Sequence, residues 1–198
     1  MPKVVDHDHR RTQIAEAVLS VVAGGGVPAA TLRRVAAESG YPMSTIQHYF
    51  RSTQQMLQYA LALMEARKAE QINARVRSEW AHGPRAVLEG IFDEVLPLTP
   101  ERVRDTAIGA AYYVAWQHDE ELKTLLLQDI PAARAGFAAV IVEGQRRGQI
   151  DPGREADREA ELLFTLADAL ATGIIVGYQR PEEAQRTADY YLDRLFTP

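Results

Sequence analysis

Residues 31–51 read TLRRVAAESGYPMSTIQHYFR, and this stretch decides the fold. Thr31 is a good helix N-cap, and Leu32, Val35 and Ala36 follow it at helical spacing. Gly40 suits the left-handed residue that closes such a helix, and Tyr41-Pro42 then turns the chain. Proline is tolerated at the start of the next helix, where no backbone donor is needed. Steps of about 100° around a third helix, Met43 to about Arg51, send Ile46, Tyr49 and Phe50 to one side. Ser44, Gln47, His48 and Arg51 go to the other. One side can anchor in a core; the other is short, polar and basic at its end, the chemistry that meets base edges and phosphates.

Upstream, Ile14, Ala15, Val18, Leu19 and Val22 recur at helical spacing, predicting a first helix from about Thr12 to Ala23 that the glycines Gly24 to Gly26 end. Three short helices, the last two joined by a glycine-containing turn, describe a helix-turn-helix unit. Helical patterns continue to the end, punctuated at His82-Gly83-Pro84, Pro97 to Pro100, Gly148 to Gly153 and Arg180-Pro181, with no sustained strand-like alternation and no internal repeat. The expectation is an all-α chain.

At 198 residues the chain can bury a sizeable core. Zero cysteines exclude disulfides and thiolate chemistry and fit a reducing compartment. No apolar run approaches the roughly 20 residues of a membrane span, and the N-terminus lacks an apolar signal core. A cytoplasmic protein with no membrane partner is expected. The net charge of −5 opposes a nucleic-acid partner until its distribution is read. Residues 1–55 carry six Lys or Arg against four Asp or Glu, a net +2, which leaves −7 for the remainder. A small basic module on an acidic body fits this asymmetry.

The pattern RRTQIAEAVLSVVAGGG followed by TLRRVAAESGYPMSTIQHYFRSTQQMLQYAL resembles the DNA-binding domain of the tetracycline-repressor (TetR) family over about residues 10–62. Thr31, Leu32, Ala36, Ser39, Gly40, Thr45, His48, Tyr49, Phe50, Ser52 and Leu57 carry the likeness. The resemblance implies that the third helix enters the major groove and that its Tyr-Phe end packs it against the first helix. It also implies that Thr31 and Arg33 approach the DNA backbone. Three positions depart from the family pattern: Pro42 stands for a serine cap, Gln47 for a tyrosine, and Thr53 for a phosphate-touching lysine whose loss weakens backbone affinity. Glutamine pairs bidentately with adenine, so Gln47 is the first candidate for base readout, with Ser44 beside it. Met43 or Thr45 can meet a thymine methyl. His48, Tyr49 and Arg51 are candidates for phosphate or sugar.

The chain divides, on this reading, into a reader (1–53) and a body (54–198) for effector binding and dimerisation, joined by a long helix from about Gln54 to Ala81. In the body, Phe92, Tyr112, Tyr113, Trp116 and Phe137 either line a ligand cavity or form core. Asp168, alone on an apolar stretch, either meets a cationic ligand or pairs with an arginine or a helix terminus. Residues 155–198 read as two helices with an apolar stripe: Leu163, Ala167, Leu170, Ala171, Ile174 and Tyr178, then Ala184, Ala188, Tyr191, Leu192 and Leu195. The resemblance implies that this pair meets its symmetry mate in a four-helix dimer interface. The C-terminal half, roughly residues 100–196, looks more loosely like the choline-sensing, BetI-like subgroup, which does not license choline as effector.

Enzyme chemistry finds no foothold. His7 and His9 in DHDH are explained by an exposed arm, His82 and His118 lack a partner at helical metal-site spacing, and no glycine-rich phosphate loop is present. No metal and no cofactor are expected. The function expected is a ligand-responsive regulator, a repressor, that binds a pseudo-palindromic DNA operator as a homodimer and is released by a small-molecule effector. The alternative is a small-molecule-binding helical protein with a degenerate DNA reader.

Overall fold

The computed structural model describes residues 7–115 and 119–196, and every regular element among them is helical. The order is α1 (His7–Gly25), a 3₁₀ turn (Val27–Ala29), α2 (Leu32–Ser39), α3 (Met43–Tyr49), α4 (Thr53–Glu79), a 3₁₀ turn (Trp80–His82), α5 (Pro84–Val95), α6 (Pro100–Ala115), α7 (Glu120–Leu127), α8 (Ile130–Arg146), α9 (Ala156–Val176) and α10 (Pro181–Leu195). The first helix begins five residues before the predicted Thr12, and the long helix gives way to a 3₁₀ turn short of the predicted Ala81. Two packed units result, and they do not follow the division expected at residue 53. One holds residues 1–67 and 107–127, the other 68–106 and 128–198.

In the first unit α1 buries Ile14, Val18 and Val22 against Val35 of α2, Ile46 and Phe50 around α3, and Met56, Ala60 and Leu61 of α4. The start of α4 is therefore part of the reader's core. Ile108 and Tyr112 of α6 and Leu122 of α7 complete that core. The buried Tyr112 hydroxyl donates to the Leu57 carbonyl at 3.0 Å. At the surface, Gln54 Nε2 donates to Asp119 at 3.2 Å, and Gln58 Nε2 to Glu121 at 2.5 Å. An ion pair joins Arg67 to Glu16.

In the second unit α8 packs on α5 and α9, and α10 packs on α5 and α9. Its core holds Val87, Leu88 and Phe92, Phe137 and Ile141, Leu163 and Leu170, and Ala188, Leu192 and Leu195. Gly144 lets Ile150 pack close on α8: a Cβ there would lie 2.6 Å from Ile150 Cδ1 and displace it. Arg154 pairs with Glu159 at 2.8 Å and donates to the Arg194 carbonyl at 3.0 Å, while Tyr191 donates to Glu159, so polar links tie α9 to α10.

Two expectations change here. Glu120–Arg146 is long and apolar enough, by length and composition, to cross a membrane, contrary to the reading that no run approaches that length. The stretch comprises α7 and α8, separated at residues 128–129, and spends Leu122, Phe137, Val140 and Ile141 on the two cores. The expected dimer stripe is the larger correction. Leu163, Ala167, Leu170, Ala171, Ala184, Ala188, Leu192 and Leu195 are buried in the second unit's own core. Ile174 and Tyr191 are half-buried against it, and Tyr178 alone is open, at 71% exposure. The stripe that sequence assigned to a partner chain packs on α5 and α8 instead.

Candidate nucleic-acid interface

The helix-turn-helix is built from local signals. The Thr31 hydroxyl accepts from the Arg34 backbone N–H at 3.2 Å, capping α2. Gly40 closes α2 with φ of 70°, a left-handed conformation that costs glycine nothing. The Ser39 hydroxyl donates to the Ala36 carbonyl and accepts from the Tyr41 N–H, which stiffens the turn. Tyr41 donates to Gln13 Oε1 at 2.5 Å and lies under the Arg10 guanidinium, so the turn is tied back to α1. Pro42 sits at the N-cap of α3 and offers no side-chain cap, but its carbonyl accepts from the Thr45 and Ile46 N–H groups.

Ile46 and Phe50 are fully buried. Phe50 packs 5.5 Å from the Tyr59 ring, and the Arg11 guanidinium lies over both rings, 5.4 Å from Phe50 and 4.4 Å from Tyr59. Tyr49 differs from Phe50. It is half-buried, with its hydroxyl 2.9 Å from His7 Nδ1. The far side of α3 is open: Met43, Ser44, Gln47 and His48 are exposed and Thr45 is half-exposed. Thr31, Arg33 and Arg51 are exposed as well, and Thr53 is half-buried at the start of α4. All ten DNA-binding candidates therefore lie in the first unit, on α2, α3 and their flanks.

Three further residues lie near this face. Arg34 stands exposed beside Arg33. Ser52 and Gln55 cap α4: the Ser52 hydroxyl accepts from the Gln55 N–H at 3.1 Å, and Gln55 Oε1 accepts from the Arg51 N–H at 2.8 Å. The signal was a serine followed three residues later by glutamine, the spacing of a capping box.

Of the effector candidates only Phe92 and Phe137 share a unit's core, and the structure buries both there. Phe92 and Phe137 are core of the second unit; Tyr112 is core of the first, and burial raises its hydroxyl pKa above the ordinary 10.0. Tyr113 is exposed at 56%, and Asp168 is exposed and in no ion pair among the described residues. Trp116, like His118, lies outside the described residues. A depression of about 430 Å³ between α8 and α9 is lined by Ile130, Arg134, Asp157 and Glu161 among others, and by none of these candidates. Among the described residues no cluster of three metal-ligating side chains occurs.

A polar helix face held out over an anchored core invites comparison with known proteins. The model of the BetI-type transcriptional repressor C-terminal domain matches residues 84–197, more than half of the chain. The chain belongs to the TetR family, with a BetI-type C-terminal domain. The HTH-type transcriptional regulator PksA of Bacillus subtilis is 28% identical over 171 residues, covering 86% of this chain and 81% of that protein. A transcriptional regulator from Rhodococcus superposes with a TM-score of 0.81 at 24% identity, over 93% of this chain and 95% of its own. One from Saccharomonospora viridis, solved in complex with choline, does so with 0.82 at 18% identity, over 94% and 96%. This TetR-family chain is a ligand-responsive transcriptional regulator, and the family and its relatives are regulators rather than enzymes.

Proposed function

We propose that this regulator represses transcription in the cytoplasm by binding a pseudo-palindromic operator as a homodimer, and that a small molecule bound by the body releases it. The observation that supports this reading most is the division of α3. Ile46 and Phe50 are fully buried while Ser44, Gln47 and His48 stand in solvent. A helix held by two anchors presents a fixed set of donors and acceptors, as base readout requires. Gln47 reads an adenine, Ser44 an adjacent base edge, and Met43 or Thr45 a thymine methyl. Thr31, Arg33, His48, Tyr49, Arg51 and the α4 start at Thr53 set the register on the backbone.

Dimerisation falls to a face of α9 other than the stripe read from sequence. Leu162, Ala169 and Val176 recur at steps of seven residues on the side of α9 turned away from Leu163, Ala167 and Leu170, while Leu166 at its edge is half-buried against the second unit's core. Leu162 is 53% and Val176 69% exposed. A row of that spacing is a helix-pairing seam.

Selection of bound duplexes from random DNA, repeated with Gln47→Ala and Arg51→Ala, tests the assignment. Gln47→Ala relaxes base preference at one position of each half-site, by about 1–3 kcal/mol. Arg51→Ala weakens binding to specific and scrambled duplexes alike. A uniform loss from Gln47→Ala refutes the base-reading role. The effector is a separate matter: choline is the ligand of the Saccharomonospora viridis protein, and the aromatic candidates described above do not form a choline cage within either unit.

A further inference from the structure

Thr53 stands where the family pattern has a phosphate-touching lysine, and a threonine carries no charge to offer a phosphate, so that charge has to come from elsewhere or be forgone. Between the start of α1 and the α3–α4 junction lies a depression of about 410 Å³ lined by His7, Asp8, Arg11, His48, Tyr49, Arg51 and Gln55. It gathers two guanidiniums and two imidazoles against one carboxylate. Neither arginine is in an ion pair among the described residues. Arg11 Nε is buried with no hydrogen-bond partner. The Arg11 guanidinium lies over the Tyr59 ring at 4.4 Å and the Phe50 ring at 5.4 Å. Stacking of this kind occupies the face of the group, and with Nε buried it leaves the terminal N–H donors for a ligand. Gln55 is committed to the Arg51 backbone N–H, which holds the Arg51 main chain at the rim while the residue stays exposed. His7 and the Tyr49 hydroxyl, 2.9 Å apart, brace the opposite wall.

We propose that this depression holds one phosphodiester of the DNA backbone in each reading head, with Arg11 and Arg51 supplying the charge that the residue at Thr53 does not. Arginine suits the task because its planar fork matches two phosphate oxygens. The inference rests on the operator-binding reading above and adds α1 to the surface that touches DNA. It also gives the N-terminal start of α1, which base readout does not use, a part in register.

The test uses the full-length protein and its selected duplex, in which each backbone phosphate is replaced in turn by a neutral methylphosphonate. The wild type loses affinity at one linkage per half-site; Arg11→Gln and Arg51→Gln bind more weakly and are indifferent to that same linkage. Their plots of log K against log salt are shallower by about 0.9 for each phosphate no longer neutralised, hence about 1.8 for two heads. Arg51→Gln keeps the test open should Arg11→Gln unfold the head, since Arg51 is exposed and outside the core. Variants that keep the wild-type slope and the wild-type sensitivity at every linkage overturn the proposal. So does saturable binding of inorganic phosphate to the DNA-free protein, abolished in Arg11→Gln, without any linkage-specific effect, which makes free phosphate the ligand. A wild type that selects no duplex sinks the operator reading and this one together; Gln47-dependent selection with unaltered variants sinks this one alone.

Discussion

Two neighbouring leucines of α9 distinguish the proposed dimer seam from the core of the protomer. Leu163 has no exposure and sits among the side chains of α5, α8 and α10, whereas Leu162 keeps 53% of its surface. Leu163→Ala leaves a cavity and costs about 2–5 kcal/mol of unfolding free energy. Leu162→Ala leaves none, and its effect on the folded protomer stays within about 0.5 kcal/mol. Its cost appears on association. Full burial of a leucine is worth about 1.5–3 kcal/mol, and roughly half of that remains for Leu162 to gain from a partner. A two-fold interface uses the residue twice, so the loss is about 1.5–3 kcal/mol per dimer, a roughly ten- to hundredfold weaker dimer at about 1.4 kcal/mol per decade. Sedimentation equilibrium measures the dimer constant, and urea unfolding measures the protomer where it is monomeric. A Leu162→Ala protein that dimerises as the wild type does, beside a Leu163→Ala protein that dissociates at unchanged protomer stability, would return the interface to the stripe read from sequence and refute the assignment to the outer face.

Three further outcomes follow from particular contacts. Phe50→Ala removes a fully buried ring that packs beside Tyr59 and under the Arg11 guanidinium and lowers stability by about 3–5 kcal/mol, with base preference and backbone affinity falling together in a duplex-binding assay. Tyr112→Phe removes the hydrogen bond to the Leu57 carbonyl at about 0.5–1.5 kcal/mol, read as a shift in the urea midpoint. Because burial raises the folded-state pKa of Tyr112 above 10.0, its contribution is complete below the unfolded value and disappears as pH climbs past it, so Tyr112→Phe also flattens the alkaline limb of the stability curve. Glu143 has the opposite sign. Hydrogen bonds from Arg146 first and Arg147 second lower its carboxyl pKa from 4.5 to about 2. Its stabilisation is present above the unfolded value and disappears as pH falls from there towards about 2, so Glu143→Gln weakens the acid dependence of the urea midpoint.

The reader was legible because its determinants are local. Thr31, Gly40 and the Ile46–Phe50 spacing each fix a cap, a turn or a face within a few residues, and a cap either has its hydroxyl or does not. The same logic would have found the Ser52–Gln55 cap of α4. What stayed hidden in this unit depends on long-range contact. Nothing near Tyr112 in the sequence says that its hydroxyl meets the Leu57 carbonyl, or that α7 is latched to α4 through Gln54 and Gln58. An aromatic in an apolar helix reads equally as cavity wall or core, and only its neighbours choose.

The burial of the predicted stripe of α9 within the protomer has a more general physical origin. Hydrophobic periodicity shows that a face leaves water; it does not show what covers it. In α9 the pattern is ambiguous twice over, because apolar residues ring most of the helix. Leu163, Ala167 and Leu170 make one stripe, and Leu162, Ala169 and Val176 make another. A helix apolar on two sides has two neighbours to satisfy. The stripe with more, and better-interleaved, small residues went inward, where α5, α8 and α10 crowd it and alanines at 167, 171, 184 and 188 let the helices close. The outer row, with the bulkier Leu162 and Val176 still in solvent, is the one the proposed dimer gives to the second copy. A single substitution on each row therefore reports a different event, folding for one and association for the other.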